Sequence, residues 1–148
     1  MRHASSILSQ RPAVASAVLT IVFMLGLAPK VHAEQQCSNE SLRGKYGLHA
    51  FATDVPAGTP HTLIGAYTFD GRGSWTATLT VNINGSVIQI PDSGTYNVNP
   101  DCTGTLLANS GGSFAAVVVS GGNEVYLMRT QPSSTVQYGT GKKLFPGE

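Results

Sequence analysis

The sequence predicts an all-β domain, a single antiparallel up-and-down barrel of eight or nine strands joined by tight turns. Three observations point there. Over Ser74–Ile83, apolar Trp75, Ala77, Leu79, Val81 and Ile83 interleave with Ser74, Thr76, Thr78, Thr80 and Asn82, the period-two pattern of a strand with one face on a core and one in water. Turn chemistry recurs at short intervals, as Asp70-Gly71, Asn84-Gly85, Ser110-Gly111-Gly112 and Ser120-Gly121-Gly122, the residues that tight hairpins favour. Every link after the first is short, so the strands form a meander, and a long meander exposes two edges unless it closes on itself. Closure at about eight strands gives a barrel whose interior just fills with side chains or holds one small ligand. A two-sheet sandwich normally needs longer Greek-key connections.

The elements follow in order. Residues 1–33 read as a signal peptide: Arg2 and Arg11 are positive, residues 13–28 form an apolar run, and Val31-His32-Ala33 sets small residues where a signal peptidase reads,. A retained membrane anchor is the alternative, although the run is short for one. Cys37 follows Glu34-Gln35-Gln36 rather than the small apolar residues of a lipidated cysteine. The expected domain is then residues 34–148, long enough for one modest core,.

Within it, residues 38–43 suit one short helical turn ended by Gly44. A first strand over 45–53 meets a loop at 54–60, whose two prolines and glycine no central strand accepts,. Strands are expected over 61–69 and 74–83, then over 86–90 with Pro91-Asp92 as a stop. Residues 94–98 and 103–109 flank Asn99-Pro100-Asp101-Cys102, which has its turn residues in type I order,. Strands over 113–119, 123–130 and 135 to about 144 complete the count.

Only 11% of the residues are charged and 17 are glycine, which suits many short strands and tight turns. Three of the nine Lys and Arg (Arg2, Arg11, Lys30) fall in the leader while all eight acids follow it, so the remaining chain carries a net charge of −2. With no basic stripe, nucleic acid is not an expected partner. Nor is a membrane, once the leader is cleaved. Two cysteines in an exported chain, Cys37 and Cys102, point to one disulfide,, with a reactive thiol or a metal pair as alternatives.

Four motifs carry a resemblance: C-S-N-x-S-L-x-G-x-Y-G over 37–47, T-F-D-G-x-G over 68–73, G-T-Y-x-V-x-x-D-C-T-G-T over 94–105, and G-T-G-K-K over 139–143. Together they resemble an uncharacterised family of small exported bacterial proteins with one disulfide. The resemblance implies a secreted or periplasmic domain and carries no activity. More distantly, the layout is similar to the calycin barrels, lipocalins and avidins among them, and to allene oxide cyclase-like barrels. By that likeness, Gly44-Lys45-Tyr46 and Arg129 would play the lipocalin pair in which a late-strand Arg crosses an aromatic ring to close the barrel floor.

Familiar catalytic signatures are missing: there is no G-x-S-x-G, H-E-x-x-H, G-x-x-x-x-G-K or acid-rich calcium loop,. Asp70-Gly71-Arg72-Gly73 has one carboxylate and reads as a turn, since calcium needs several oxygen ligands. No cofactor or metal is expected. His49 and His61 flank the first loop, and paired strands would bring them together near Asp54 as an acid/base or metal cluster, surface histidines being the plainer reading. Arg129 ends the apolar series Val125, Leu127, Arg129, where a charge must be paired or lie at a rim. Stacking on Tyr46 or pairing with Glu124 or Glu40 would satisfy it. As a functional group it would fix an anionic or carbonyl-bearing ligand. Tyr67, Trp75, Tyr96, Phe114 and Tyr126 fill the core or, with Tyr46, wall a pocket.

The leading expectation is an exported barrel that binds a small, mostly apolar molecule in its interior. A cyclase or isomerase acting by substrate positioning is the alternative. A structural module at the cell surface, able to form oligomers, is the third: Ala116, Val117, Val118 and Val119 make one strand apolar on both faces,.

Overall fold

A computed structural model describes residues 36–146; the leader expected over 1–33 lies outside the described residues. Eight strands run β1 (Gly44–Asp54), β2 (Pro60–Phe69), β3 (Ser74–Ile83), β4 (Ser86–Val98), β5 (Thr103–Ala108), β6 (Ser113–Val119), β7 (Glu124–Gln131) and β8 (Thr135–Lys143). Each pairs antiparallel with the next and β8 returns to β1, which closes the barrel in sequence order.

The count is eight because Pro91-Asp92 does not stop a strand. β4 runs through it for 13 residues. β3 accompanies β4 from Ser86 to Thr95, whereas β5 joins it only over Gly94–Val98. Pro91 therefore lies where β4 has a neighbour on one side only, the part of a sheet that tolerates a residue without an N–H. The same stagger leaves β5 and β6 as the shortest walls, with 6 and 7 residues.

The two ends of the barrel differ. At one, the inward side chains Tyr46, Phe69, Trp75, Tyr96, Val98, Val118 and Val125 are buried together, and Leu42 drops onto them from the 3-10 turn Asn39–Leu42. Phe69 meets Tyr46 and Tyr96 edge to face at 5.4 and 5.1 Å between ring centroids, the arrangement that ring quadrupoles favour. The polar tips are satisfied. Tyr46 donates its hydroxyl to the Gly122 carbonyl. Tyr96 donates to the Asn39 carbonyl at 3.1 Å and accepts from the Gly71 amide at 2.9 Å. Asn39 Oδ1 accepts the Val98 amide at 2.7 Å. Gly122 has φ 89°, and a Cβ there would stand 2.0 Å from the Ser41 carbonyl oxygen, so only glycine lets the β6–β7 turn close on the plug,.

Cys37 and Cys102 form a disulfide that ties the plug to the β4–β5 turn and closes a loop of 65 residues. Chain entropy assigns such a loop about 4 kcal/mol. The turn matches its sequence: the Cys102 amide donates to the Asn99 carbonyl at 3.0 Å. Asp101 accepts the Thr103 hydroxyl and amide, which hold its carboxyl below the ordinary value. In the β2–β3 turn, Asp70 Oδ1 accepts the amides of Arg72, Gly73 and Ser74 at 2.7, 2.9 and 2.9 Å, so the carboxylate serves the turn. Asn84-Gly85 joins β3 to β4 as a hairpin, both residues at positive φ,.

The floor corrects one expectation. The cation over Tyr46 is Lys143, its ammonium 5.8 Å from the ring centroid, and Arg129 belongs to the opposite end. In a meander, residues early in β1 and late in β8 lie at the same end, while the last residues of β7 lie at the other.

Two outcomes follow from the floor. Replacing both cysteines by serine should lower stability by about 4 kcal/mol in urea unfolding followed by fluorescence of Trp75, the one tryptophan. Tyr96→Phe, which deprives the Asn39 carbonyl and the Gly71 amide of their shared partner, should cost about 2 kcal/mol in the same measurement.

Candidate functional site

Above the aromatic floor the interior residues become small or aliphatic, and a cavity of about 140 Å³ opens toward the far rim. Strand alternation selects its lining. Leu48 and Ala50 come from β1, Leu63 and Tyr67 from β2, Trp75 and Leu79 from β3, and Asp92 from β4. Leu106 and Ala108 of β5, Phe114 of β6, Leu127 and Arg129 of β7, and Gln137 and Gly139 of β8 complete the ring. Tyr67 and Trp75, 5.4 Å apart between ring centroids, form its base. The Trp75 indole N–H donates to the Thr95 carbonyl at 3.2 Å.

Arg129 is the most constrained polar group here. Its Nε donates to the Gln131 carbonyl at 3.1 Å and its Nη1 to Gln137 Oε1 at 3.2 Å, and its Cζ lies 5.5 Å from the Phe114 ring centroid. A bulge sets this up. β6 pairs Ser113 with Gln131 but Phe114 with Arg129, so Thr130 is an extra residue in β7. Bulges re-aim side chains in this way, and here the Gln131 carbonyl returns to its own strand's guanidinium. On the β4 wall, Asp92 accepts the Ser93 amide at 2.8 Å on Oδ1 and the Ser110 hydroxyl at 2.8 Å on Oδ2.

Burial, and then the nearby Asp92 carboxylate, push the Tyr67 hydroxyl up to about 12. Burial, then Tyr96, raises Tyr46 to about 12 as well. Tyr67 thus meets the cavity as a neutral phenol, a donor as well as an acceptor.

The sequence-selected residues separate into groups. Arg129, Tyr67 and Trp75 share the cavity. Tyr46 and Tyr96 belong to the floor. His61 points inward at the rim, its Nε2 3.1 Å from Asp54 Oδ2 but without a hydrogen-bond partner among the described residues. His49 is on the outer face against Phe51, because His61 pairs with Ala52 and His49 with Ile64, which gives the two histidines opposite facing. Tyr126 is exposed on the outer wall. Glu124 sits at the floor end of β7, 3.9 Å from Lys142. Arg129 meets neither Tyr46, Glu124 nor Glu40. Among the described residues no group of three or more His, Cys, Asp and Glu is placed to hold a metal ion.

Sequence reasoning missed Asp92 and Gln137. Two-residue steps back from Val98 through Tyr96 and Gly94 point Asp92 inward, but only in a strand that continues past Pro91. The same steps from Gly141 through Gly139 select Gln137.

The chain matches no family model and no curated protein. Among solved structures, a redesigned β-barrel, mFAP0, bound to DFHBI has a TM-score of 0.49 and 14% identity, covering 70% of this chain and 99% of that one. The S-type phycobiliprotein lyase CPES from Guillardia theta has a TM-score of 0.48 and 10% identity, covering 74% and 94%. A de novo designed fluorescence-activating β-barrel has a TM-score of 0.43 and 7% identity, covering 71% and 95%. This chain's own residues define an eight-stranded up-and-down barrel with one packed end and one hollow end.

The two tyrosines give a pH outcome. An unfolded tyrosine titrates near 10 and these near 12, so between those values the unfolded chain loses protons that the native one keeps. Their contribution to stability is full below about pH 10 and disappears as pH rises toward about 12. Phenolate absorbance during an alkaline titration checks this: Tyr46 and Tyr67, together with Tyr96, which burial also raises, should titrate later than the other two of the five tyrosines, in step with unfolding.

Proposed function

We propose that this chain is an exported barrel, secreted or periplasmic, that holds one small, mostly apolar molecule in its interior. The observation that carries the reading is the cavity: an aliphatic wall on an aromatic base with a few polar side chains set into it, Arg129 and Gln137 on β7 and β8 and Asp92 on β4, the usual composition of a small-molecule site. Its size narrows the occupant. At about 140 Å³ it compares with the roughly 150 Å³ engineered cavity that takes up benzene, so it accommodates a single ring and anything longer must extend through the rim. Arg129, Tyr67 and Trp75 are the site residues in this reading, joined by Asp92 and Gln137. Export is supported by the leader-like residues 1–33 and by the disulfide, a bond that persists in oxidising compartments.

Binding is tested with the purified protein and benzyl alcohol, followed by Trp75 fluorescence. Saturable binding is expected, and Ala108→Phe, which puts a ring into the cavity, should weaken it at least about tenfold while the protein stays folded by circular dichroism. No saturable response from the wild-type chain, or an Ala108→Phe variant that binds equally well, overturns the reading. Native mass spectrometry of protein from its own host then looks for the resident molecule.

The outer wall favours self-association as a second property. Val117, Tyr126, Met128, Tyr138, Phe51 and Ile64 are all 45% or more exposed and lie on five successive strands. Val117 pairs with Tyr126, Met128 with Tyr138, and Tyr138 with Phe51, which makes one continuous apolar band. Such bands on soluble proteins mark contact surfaces. Sedimentation should show a dimer that Tyr138→Lys disperses. A wild-type chain that stays monomeric up to high concentration argues against it.

A further inference from the structure

We infer that the occupant of the cavity is a monoanion, a single ring bearing one carboxylate directed at Arg129, with the rest of the molecule neutral. The inference rests on the cavity being a binding site and names the ligand class. Arg129 is half-buried in a largely apolar wall. Among the described residues no carboxylate lies within ion-pair distance of it. Its Nε and Nη1 are held by two neutral acceptors, the Gln131 carbonyl and the Gln137 side chain, which orient the guanidinium without neutralising it. A partly desolvated charge gains most from an opposite charge, and the planar fork of arginine suits a carboxylate.

The surroundings are arranged for that group. Nη2 makes no hydrogen bond among the described residues. Beside it stands Gly112, buried and at ordinary φ, where a Cβ would come within 3.2 Å of Nη2 and 3.0 Å of the Phe114 ring. Backbone conformation does not require glycine at that position; the missing side chain lets the Phe114 ring and the guanidinium pack directly against the backbone there. Phe114 on one side and Gln137 on another fix the guanidinium before a ligand arrives, which lowers the ordering cost of binding.

Asp92 on the β4 wall sets the opposite limit. Its carboxylate accepts from Ser93 and Ser110 and lines the same cavity, so a second anionic group would meet like charge there. Tyr67 on the base, a neutral phenol, supplies one more hydrogen bond. One anion is therefore accommodated and two are not.

Benzoate and benzyl alcohol, matched in ring and size, separate this inference from the one it rests on. Both should bind the wild-type protein, benzoate about tenfold tighter, as expected for a charge-assisted hydrogen bond. Arg129→Gln should abolish that preference, benzoate then binding no more tightly than benzyl alcohol. Asp92→Asn should strengthen benzoate and admit terephthalate, which the wild type rejects. If the two probes bind equally well to the wild type, or the preference survives Arg129→Gln, the anion inference fails while the cavity reading stands. If neither probe binds, both fail.

Discussion

Eight strands closed into a barrel leave two open ends, and the packing of this protein depends on how one of them is stopped. Inward aromatic side chains fill this end, and Leu42 on its 3-10 turn caps them, wholly buried in one cluster with Tyr46, Phe69 and Tyr96. A turn this short has little stability of its own. It is held by the Cys37–Cys102 bond and by Asn39, whose backbone and side chain both bond β4 residues. Four stretches of the chain supply these parts: Cys37, Asn39, Leu42 and Tyr46 from residues 37–47, Phe69 to Gly73 from 68–73, Tyr96 and Cys102 from 94–105, and Lys143 from 139–143. The most distinctive residues of the chain are those of its scaffold.

A secured floor frees the other end from structural duty. Along the barrel axis the inward residues change from Tyr46, Phe69, Trp75 and Tyr96 to Ala50, Leu63, Leu79, Ala108 and Gly139, so the interior empties as the rim is approached. A barrel of about eight strands is just wide enough for bulky side chains to fill it. Replacing them with small ones in one half therefore creates space at little cost to the half that holds the fold together. Trp75 and Tyr67 belong to both regions, as the top of one and the base of the other.

Much of this was legible in the sequence where local chemistry decides. Period-two alternation located the Trp75 strand and its inner face, Asn84-Gly85 and Asp70-Gly71 located turns, and the short links implied closure. Registration between strands was not legible. Pro91 reads as a terminator because sequence does not show that β5 ends its pairing at Gly94, so that Pro91 falls on a free edge. His49 and His61 look like neighbours until pairing with Ile64 and Ala52 sends them to opposite faces. The surroundings of Arg129 depend on an extra residue, Thr130, which no composition signal distinguishes from its neighbours. Each of these features is set by which residue lies across from which, a property of strand pairs.

The short β5 and β6 walls have a further consequence. They leave the upper half of β4 without a partner on one side, and its exposed Val87, Ile88 and Ile90 are the kind of apolar edge on which chains nucleate into fibrils. Two residues guard it. Pro91 removes a donor from the edge, and Asp92 turns a charge inward beside it, both recognised deterrents to strand addition. If the barrel holds the proposed anion, Asp92 has two duties, limiting what enters the barrel and refusing another strand a place in its wall. Selectivity and solubility would then be joined at one carboxylate, so a mutation that broadens the first would weaken the second.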